Sequence, residues 1–281
     1  MKRILITGAN SYIGSSFEKW IKKTPDQYMV DTLDMIDGSW KIKSFSGYDA
    51  VYHVAGIAHI KETKENADLY YKVNRDLAYE TALKAKQEGI KQFVFLSTMN
   101  VYGTETGVIA RETLANPKSH YGKSKLQAEE LILKLSDGSF KVAVIRPPMV
   151  YGKGCKGNYA RLTKLSLKIP AFPKVNNNRS MIYIDNLNQF IKLIIDEEDA
   201  GLFFPQNKEY VNTSELVALI AQAHNKKIWM TDKFNFLVRL IKSSTLDKLF
   251  GSLIYQTDMS EYKHEYCVFD FRSSILASEK E

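Results

Sequence analysis

The chain has 281 residues, of which 44% are hydrophobic and 25% charged, with a formal net charge of +7. No apolar run reaches the length of a membrane span, and the two cysteines, Cys155 and Cys267, do not make a disulfide framework. The lysines are scattered rather than clustered, so a solvated basic surface, or attraction for phosphate-bearing small molecules, explains the charge better than a nucleic-acid partner does. We therefore expect a globular protein of the cytoplasm.

The first half of the chain alternates short apolar runs with segments of helical spacing. The apolar runs are RILITG (3–8), YMVDTLDM (28–35), DAVYHVAG (49–56), KQFVFLST (91–98) and KVAVIRP (141–147). Strands that alternate with helices predict a parallel sheet covered on both faces. The helix after the first strand is expected to stop at Pro25, and the one before the fourth strand to end at Gly89.

Beyond about residue 150 this alternation becomes irregular. The stretch GLFFPQN (201–207) and its neighbours suggest a smaller mixed lobe, and residues 234–255 suggest two short amphipathic helices. We predict an α/β fold with a doubly wound parallel sheet of the Rossmann type over residues 1–152. A smaller mixed C-terminal lobe for the substrate would cover residues 153–281, interleaved with the first domain.

The segment TGANSYIG (7–14) directly follows the first strand and precedes a helix, which is the setting of a dinucleotide-binding loop. Gly8 would allow the tight turn, Gly14 would let the helix pack closely on the strand, and the helix N-terminus would face a pyrophosphate. Ser11 replaces the middle glycine of the usual pattern, so its side chain is expected to crowd the pyrophosphate slightly. The predicted cofactor contacts in this loop are Gly8, Asn10, Ser11, Tyr12, Ile13 and Gly14.

An acidic residue roughly 20 positions beyond the last glycine is expected to hold the adenosine ribose. Asp34 lies at that distance. Its carboxylate would accept hydrogen bonds from both ribose hydroxyls and repel a 2′-phosphate, which favours NAD over NADP. Asp31 and Asp37 are alternatives, because the region before residue 49 is too short for a full third strand unit.

The stretch SHYGKSKL (119–126) carries a tyrosine and a lysine one helical turn apart. Tyr121 and Lys125 share a predicted inward face with Ala128, Ile132 and Leu135, where a lysine is costly unless its charge is used. A tyrosine pKa near 10 must fall by ~3 units to reach neutrality, and an ammonium at about 4 Å supplies that much. The pair therefore predicts a general acid/base, the alternative being a snorkelling lysine beside a core tyrosine.

The segment FLSTMNVYG (95–103) ends a predicted strand with two hydroxyls, Ser97 and Thr98. The carboxyl-terminal edge of a parallel sheet is where such folds bind ligands. A hydroxyl at this edge would hydrogen-bond the substrate oxygen that the tyrosine deprotonates.

Six motifs follow one another along the chain: the glycine loop, HVAG, KVN, ST with VYG, YxxxK and RPPMVYG. Together they resemble the extended short-chain dehydrogenase/reductase family, in particular its NAD-dependent nucleotide-sugar epimerase/dehydratase branch of the UDP-glucose 4-epimerase type. The resemblance is strong over residues 1–152 and continues through RSMIYIDNL (179–187).

The resemblance implies a role for each matching residue. Tyr121 would be the catalytic base and acid, Lys125 would assist it and hold the nicotinamide ribose, and Thr98 would be the catalytic hydroxyl. Together with Asp34, which its spacing predicts, the cofactor contacts outside the glycine loop are Ala55, Gly56, Asn74, Tyr121, Lys125 and Pro147.

The implied substrate contacts are Thr98, Tyr121, Asn158 and Arg179. Arg179 resembles the arginine that grips the diphosphate of a sugar nucleotide, with a salt bridge to Asp185 as the alternative. The chain departs from the family at Met149, where many members have an asparagine, and Arg272 lacks the usual context of the second family arginine. These departures concern the nucleotide contacts more than the redox chemistry.

The expected activity is NAD-dependent epimerisation at C4 of a nucleotide-activated hexose, a UDP-sugar first of all, through a transient 4-keto intermediate and without a metal. The alternatives are an NAD(P)H-dependent nucleotide-sugar 4-keto reductase and a catalytically silent cofactor-binding protein. A 4,6-dehydratase is not expected, because the Asp-Glu pair that the family uses for that reaction is replaced by Met99 and Asn100. A homodimer stays open.

Overall fold

The computed structural model describes residues 1–58, 60–234 and 250–280. The chain forms two compact units, each assembled from several stretches. The first unit comprises Met1–Gly103, Leu114–Pro147 and Leu187–Pro205, and the second comprises Thr104–Thr113, Pro148–Asn186 and Gln206–Glu281.

Short strands and helices alternate along the described part of the chain. The strands are Lys2–Thr7 (β1), Tyr28–Leu33 (β2), Ala50–His53 (β3), Gln92–Leu96 (β4), Gly107–Ile109 (β5), Lys141–Ile145 (β6), Met149–Tyr151 (β7), Ala171–Pro173 (β8), Met181–Tyr183 (β9), Gly201–Phe203 (β10), Trp229–Thr231 (β11) and Leu253–Tyr255 (β12). The helices are Tyr12–Ile21 (α1), Ala67–Tyr71 (α2), Leu77–Gln87 (α3), His120–Leu133 (α4), Asn158–Lys168 (α5), Ile184–Asp196 (α6), Thr213–Ala223 (α7) and Phe271–Glu279 (α8). A π-helical segment, Lys72–Asp76, joins α2 to α3.

The first unit contains a six-stranded sheet in the order β10–β6–β4–β3–β1–β2, with every pairing parallel. Successive side chains of a strand point to opposite faces, so the apolar runs cover both. On one face, Val51 of β3 and Phe93 of β4 share a buried cluster with Ala128 of α4. On the other, Tyr52 of β3 meets Phe17 of α1 edge-on, with 5.1 Å between the ring centroids. Burial of each large side chain stabilises the fold by about 1.5–3 kcal/mol.

The second unit contains three two-stranded parallel sheets, which pair β11 with β8, β12 with β5, and β7 with β9. Its helices include α5, α7 and α8. Tyr151 of β7 stacks on Tyr159 of α5 at 5.3 Å between ring centroids, and its hydroxyl hydrogen-bonds Ser274 of α8 at 2.5 Å. Buried aromatic rings therefore tie the small sheets of this unit to its helices.

The fold class and the five predicted strands of the parallel sheet are confirmed. Helix α1 ends before Pro25, and Gly89 follows the end of α3 with a φ of +77°, as a C-cap glycine should. The sheet also has a sixth strand, Gly201–Phe203, from the segment assigned to the smaller lobe, because these residues pair with β6.

Two further expectations concern the end of the chain and the membrane. The helices predicted over residues 234–255 fall mostly on residues 235–249, which lie outside the described residues, and Leu253–Tyr255 forms a strand instead. None of the helices in the described part of the chain is long and apolar enough to cross a membrane.

Candidate active site

The glycine loop between β1 and α1 is held against the ends of two neighbouring strands. Gly8 has a φ of +101°, a conformation that favours glycine. The amides of Gly8 and Ala9 both donate to the carbonyl of Leu33, at 2.9 and 3.1 Å. A Cβ on Gly8 would lie only 2.7 Å from the backbone nitrogen of Ala55. Asn10 follows with a φ of +65° and is exposed. The loop therefore has its predicted shape, and its close approach to residue 55 requires glycine.

Ser11 turns its side chain back onto α1. Its Oγ accepts a hydrogen bond from the Gly14 amide at 3.1 Å and caps the helix. A Cβ on Gly14 would lie 2.7 Å from that oxygen and 3.0 Å from Cγ2 of Val54. The hydroxyl expected to crowd a pyrophosphate is thus engaged by the helix itself. Tyr12 and Ile13 form the first turn of α1, as the sequence pattern requires.

The three acidic candidates for a ribose ligand differ in position. Asp34 directly follows β2, next to the Leu33 carbonyl that receives the glycine loop, and its Oδ1 accepts from the Ile36 amide at 2.8 Å. Asp31 lies inside β2 and accepts from the Tyr48 hydroxyl at 2.7 Å. Asp37 accepts from the amide and the hydroxyl of Ser39 at 3.0 and 2.7 Å. Of the three, Asp34 is placed at the strand end beside the glycine loop.

The chain after β3 runs beside Lys125. Asn74, fully buried in the π-helical segment, accepts from the Ile57 amide at 2.8 Å and donates to the Ile57 carbonyl at 3.1 Å. A Cβ on Gly56 would lie 2.9 Å from Oδ1 of Asn74 and 3.3 Å from Nζ of Lys125. Ala55 is buried beside the glycine loop. Asn74 therefore fixes the backbone of this segment, and Gly56 leaves room for the lysine.

Tyr121 is the second residue of α4, and Thr98 follows the end of β4. The Thr98 side chain acts on the Tyr121 hydroxyl and lowers its pKa. Burial raises the pKa of Tyr121, the Thr98 side chain lowers it, and Tyr70, whose ring lies edge-on with 6.5 Å between the centroids, raises it. The net direction is upward. The expectation that Lys125 brings this pKa down is therefore not met by the side chains of the protein alone.

Lys125 is buried, with 4% of its surface exposed. Its Nζ donates to the Leu96 carbonyl at 2.9 Å and lies 4.6 Å from the centre of the Phe95 ring. Burial lowers the pKa of Lys125 to about 8, against the opposing effect of the Glu129 carboxylate. The amine is thus turned toward the end of β4 and Gly56.

The residue after Thr98 is tied to the end of β6. The Ser97 amide donates to the carbonyl of Ile145 at 2.7 Å, and two residues later the Met99 amide donates to the carbonyl of Pro147 at 2.9 Å. Pro147 is therefore held beside the strand end that carries Thr98. Met99 is buried and Asn100 is exposed, and neither side chain is a carboxylic acid.

Two carboxylates near this group escaped the sequence analysis. The oxygens of Glu62 accept from the amides of His120 and Tyr121 at 2.9 and 3.0 Å, so Glu62 caps the helix that carries the tyrosine. Glu129 lies one turn beyond Lys125 on α4 and pairs with Arg146. Glu62 comes from a loop with no signal in the sequence. Glu129 could have been found from its spacing of four from the buried lysine.

The remaining predicted residues lie in the second unit. Asn158 is half-buried and begins α5, directly after Gly157 with its φ of +97°. Arg179 is buried, and its Nη1 donates to the Gly251 carbonyl at 2.7 Å. Burial lowers the pKa of Arg179, while Glu105 of the same unit raises it. Among residues 1–58, 60–234 and 250–280, no group of three or more His, Cys, Asp or Glu side chains could hold a metal ion.

Residues 4–203 match the model of the NAD dependent epimerase/dehydratase family. A UDP-glucose 4-epimerase of Vibrio cholerae is 31% identical over 93% of this chain and 89% of its own length. An N-acetyl-alpha-D-glucosaminyl-diphospho-ditrans,octacis-undecaprenol 4-epimerase of Escherichia coli O157:H7 is 30% identical over 80% of this chain and 73% of its own.

Solved structures share the fold at lower identity. A UDP-glucuronic acid 4-epimerase from Bacillus cereus, in complex with NAD, superposes with a TM-score of 0.76 at 18% identity, covering 99% of this chain and 97% of that one. A dTDP-4-dehydrorhamnose reductase from Clostridium acetobutylicum gives a TM-score of 0.77 at 21% identity, covering 98% of each chain. The same architecture therefore carries both an epimerase and a reductase.

Proposed function

Because the chain belongs to the NAD dependent epimerase/dehydratase family, we propose that it is an NAD-dependent enzyme that inverts C4 of a hexose linked through a diphosphate. The observation that carries this proposal is the grouping of Thr98, Tyr121 and Lys125 around the end of β4. The Thr98 side chain lowers the pKa of Tyr121, and Lys125 donates a hydrogen bond to the last carbonyl of the strand, that of Leu96. These are the groups that proton transfer at a sugar hydroxyl needs.

The residues of the first unit fit a bound NAD. The glycine loop packs so closely on residue 55 that any Cβ at Gly8 would collide with backbone. A pyrophosphate would lie against the amides at the start of α1. Asp34 would accept hydrogen bonds from the hydroxyls of the adenosine ribose, and Lys125 would donate a hydrogen bond to the nicotinamide ribose past Gly56. The backbone at Pro147 would lie by the carboxamide. When bound, NAD supplies reversible hydride acceptance at C4.

The proton steps belong to Tyr121 and Thr98. Tyr121 would take the proton of the 4-hydroxyl as C4 is oxidised. It would return the proton to the 4-keto oxygen after the keto sugar has rotated to present its other face. Thr98 would hydrogen-bond the same sugar oxygen and so hold it within reach of the tyrosine. Because no net oxidation occurs, the enzyme would need no second substrate.

The diphosphate is the part of the substrate that the two named relatives have in common, one acting on UDP-glucose and the other on an undecaprenyl-linked sugar. We assign Arg179 to the diphosphate and Asn158 to a neighbouring polar contact. A UDP-hexose is the first substrate to test, since the relative with the longer match is named for it.

The test begins with the nucleotide that the purified protein releases on denaturation, identified by mass spectrometry. The protein is then incubated with UDP-glucose, UDP-N-acetylglucosamine and a polyprenyl-diphosphate N-acetylglucosamine, and the C4 configuration of each sugar is read by proton NMR. We expect bound NAD and a C4 epimer from at least one substrate. Tyr121→Phe should abolish the product, and Tyr79→Phe in α3 should not. NAD-loaded protein that inverts none of the three sugars would refute the proposal.

A reductase is the second candidate, since a reductase shares the fold to the same degree as an epimerase. It would release its cofactor between turnovers and consume reduced nicotinamide in proportion to a 4-keto sugar. Protein purified without nucleotide, together with stoichiometric oxidation of NADPH, would therefore decide for the reductase.

A further inference from the structure

The carboxylate of Glu129 lies at the centre of a buried polar network behind the candidate active site. It accepts hydrogen bonds from Nη2 of Arg146 at 2.6 Å and from Nε of Arg146, which lies 3.1 Å from each carboxylate oxygen. Only 9% of the Arg146 side chain and 2% of the Glu129 side chain are exposed. The Ser97 hydroxyl donates to the same carboxylate. Nη1 of Arg146 donates to the Tyr102 hydroxyl at 3.0 Å. A buried pair bonded on both sides in this way is rigid.

The partners of Glu129 are direct neighbours of proposed site residues. Ser97 precedes Thr98 at the end of β4, and Arg146 precedes Pro147 at the end of β6. Glu129 itself lies one turn after Lys125 on α4. One side chain therefore links the helix of the lysine to the two strand ends that would face the hydroxyl and the nicotinamide.

The network also bears on the charge of Lys125. Glu129 is the neighbour whose charge raises the Lys125 pKa against burial. His53 on β3 faces the lysine too, but burial and then the Lys125 charge lower its own pKa to about 3, so it is neutral. Tyr121 on the same helix has a raised pKa and is neutral as well. Arg146, directly after β6, is positive and pairs with Glu129.

We propose that Glu129 is a positioning residue of this active site: its carboxylate keeps the buried Lys125 ammonium charged and fixes the strand ends that carry Thr98 and Pro147. The part in turnover rests on the function proposed above, whereas the effect on Lys125 does not. Both parts follow from the position of the Glu129 carboxylate, which is buried, bonded to the residues directly after two strands and placed one helical turn from the lysine.

The direct test is to measure the pKa of Lys125 by NMR on protein whose lysines are labelled with ¹³C at Cε. The Lys125 signal is assigned as the one that is lost in Lys125→Met. Glu129→Gln keeps the size and one acceptor but removes the charge. It should lower the pKa of Lys125 by about one pH unit or more, since a nearby opposite charge has an effect of that size. Glu130→Gln, which removes an exposed carboxylate next along the same helix, should leave the pKa unchanged.

The single variant leaves Arg146 buried without its partner, which can prevent folding. The double variant Glu129→Gln with Arg146→Met removes both charges and provides a second protein on which the Lys125 pKa is measured. In the folded variant, the Lys125 pKa should still lie below that of the wild type, and the alkaline limb of the turnover profile should move to lower pH with it. A Lys125 pKa equal to the wild-type value in the folded variant would overturn the proposal. Wild-type protein that inverts no sugar would refute the proposed function instead, without touching this measurement.

Discussion

Replacing Gly8 with alanine should damage the first unit more than any other single added methyl group in the glycine loop. The residue has a φ of +101°, and the new Cβ would lie 2.7 Å from the nitrogen and 2.9 Å from the Cα of Ala55. Both contacts are with backbone that is itself held beside β3, so neither can be relieved by rotating a side chain. The variant therefore combines a disfavoured conformation with a collision.

The two effects can be separated with neighbouring glycines. Gly38 has a φ of +78° and nothing within 4 Å of its ideal Cβ, so Gly38→Ala carries the conformational cost alone, about 1 kcal/mol. Gly14 has ordinary helical backbone but would meet the Oγ of Ser11 at 2.7 Å, and moving that oxygen loses a cap worth about 1 kcal/mol. Gly8→Ala adds about 1–3 kcal/mol of overpacking to the conformational cost, which gives about 3 kcal/mol in all.

The free energy of unfolding is measured by urea denaturation, and the affinity for NAD by calorimetry on the same preparations. We expect Gly8→Ala to be the least stable of the three and to bind NAD at least about tenfold more weakly, which corresponds to 1.4 kcal/mol. Gly38→Ala should bind NAD like the wild type. If Gly8→Ala unfolds at the same urea concentration as Gly38→Ala and keeps its NAD affinity, the close approach of the loop to residue 55 is wrong.

Three further predictions concern the chemistry. Tyr121→Phe should lower turnover by at least about 100-fold, as expected for loss of a general acid/base, while calorimetry shows NAD affinity preserved; a near-normal rate would exclude the tyrosine as the base. Asp34→Ala should weaken the binding of NAD by about 10- to 100-fold through the loss of charge-assisted hydrogen bonds, and should reduce the difference between the affinities for NAD and NADP. Asp31→Asn should change neither the NAD affinity nor the NADP affinity; the reverse result would make Asp31 the ribose ligand. Incubation with UDP- or dTDP-hexoses should yield no 4-keto-6-deoxy sugar, since Met99 and Asn100 cannot move the protons at C5 and C6; mass loss of one water would contradict this.

The parallel sheet was predictable because its strands are local apolar runs closed by glycine, proline or polar residues. Each of the five runs became a strand, and the glycine loop kept its place between β1 and α1. The sixth strand, Gly201–Phe203, could not be found in this way. It has three residues, and its place is decided by pairing with Lys141–Ile145, which is distant in the chain. Such pairing depends on tertiary contacts that local propensity does not contain.

In the candidate site, the spacing of four residues correctly placed Tyr121 and Lys125 on one turn of a helix, with the lysine buried. The direction of each polar group was harder to predict. The Ser11 hydroxyl caps its own helix, and the Lys125 amine bonds the end of β4. Glu62 reaches α4 from a loop about 60 residues earlier in the chain. Hydrogen bonds of this kind are chosen among several acceptors in three dimensions, and no periodicity reports the choice.

The raised pKa of Tyr121 bears directly on how such a site could work. Burial outweighs the opposing effect of Thr98, so the tyrosine holds its proton tightly. A cation brought near the hydroxyl would favour the ionised form, and an oxidised nicotinamide ring is one. Tyr121 would then release its proton in the presence of the oxidised cofactor and hold a proton again once the ring has been reduced and its charge lost. Burial, which opposes a permanently ionised tyrosine, would thereby couple the ionisation of Tyr121 to the redox state of its neighbour, as an epimerase that reverses its own oxidation requires.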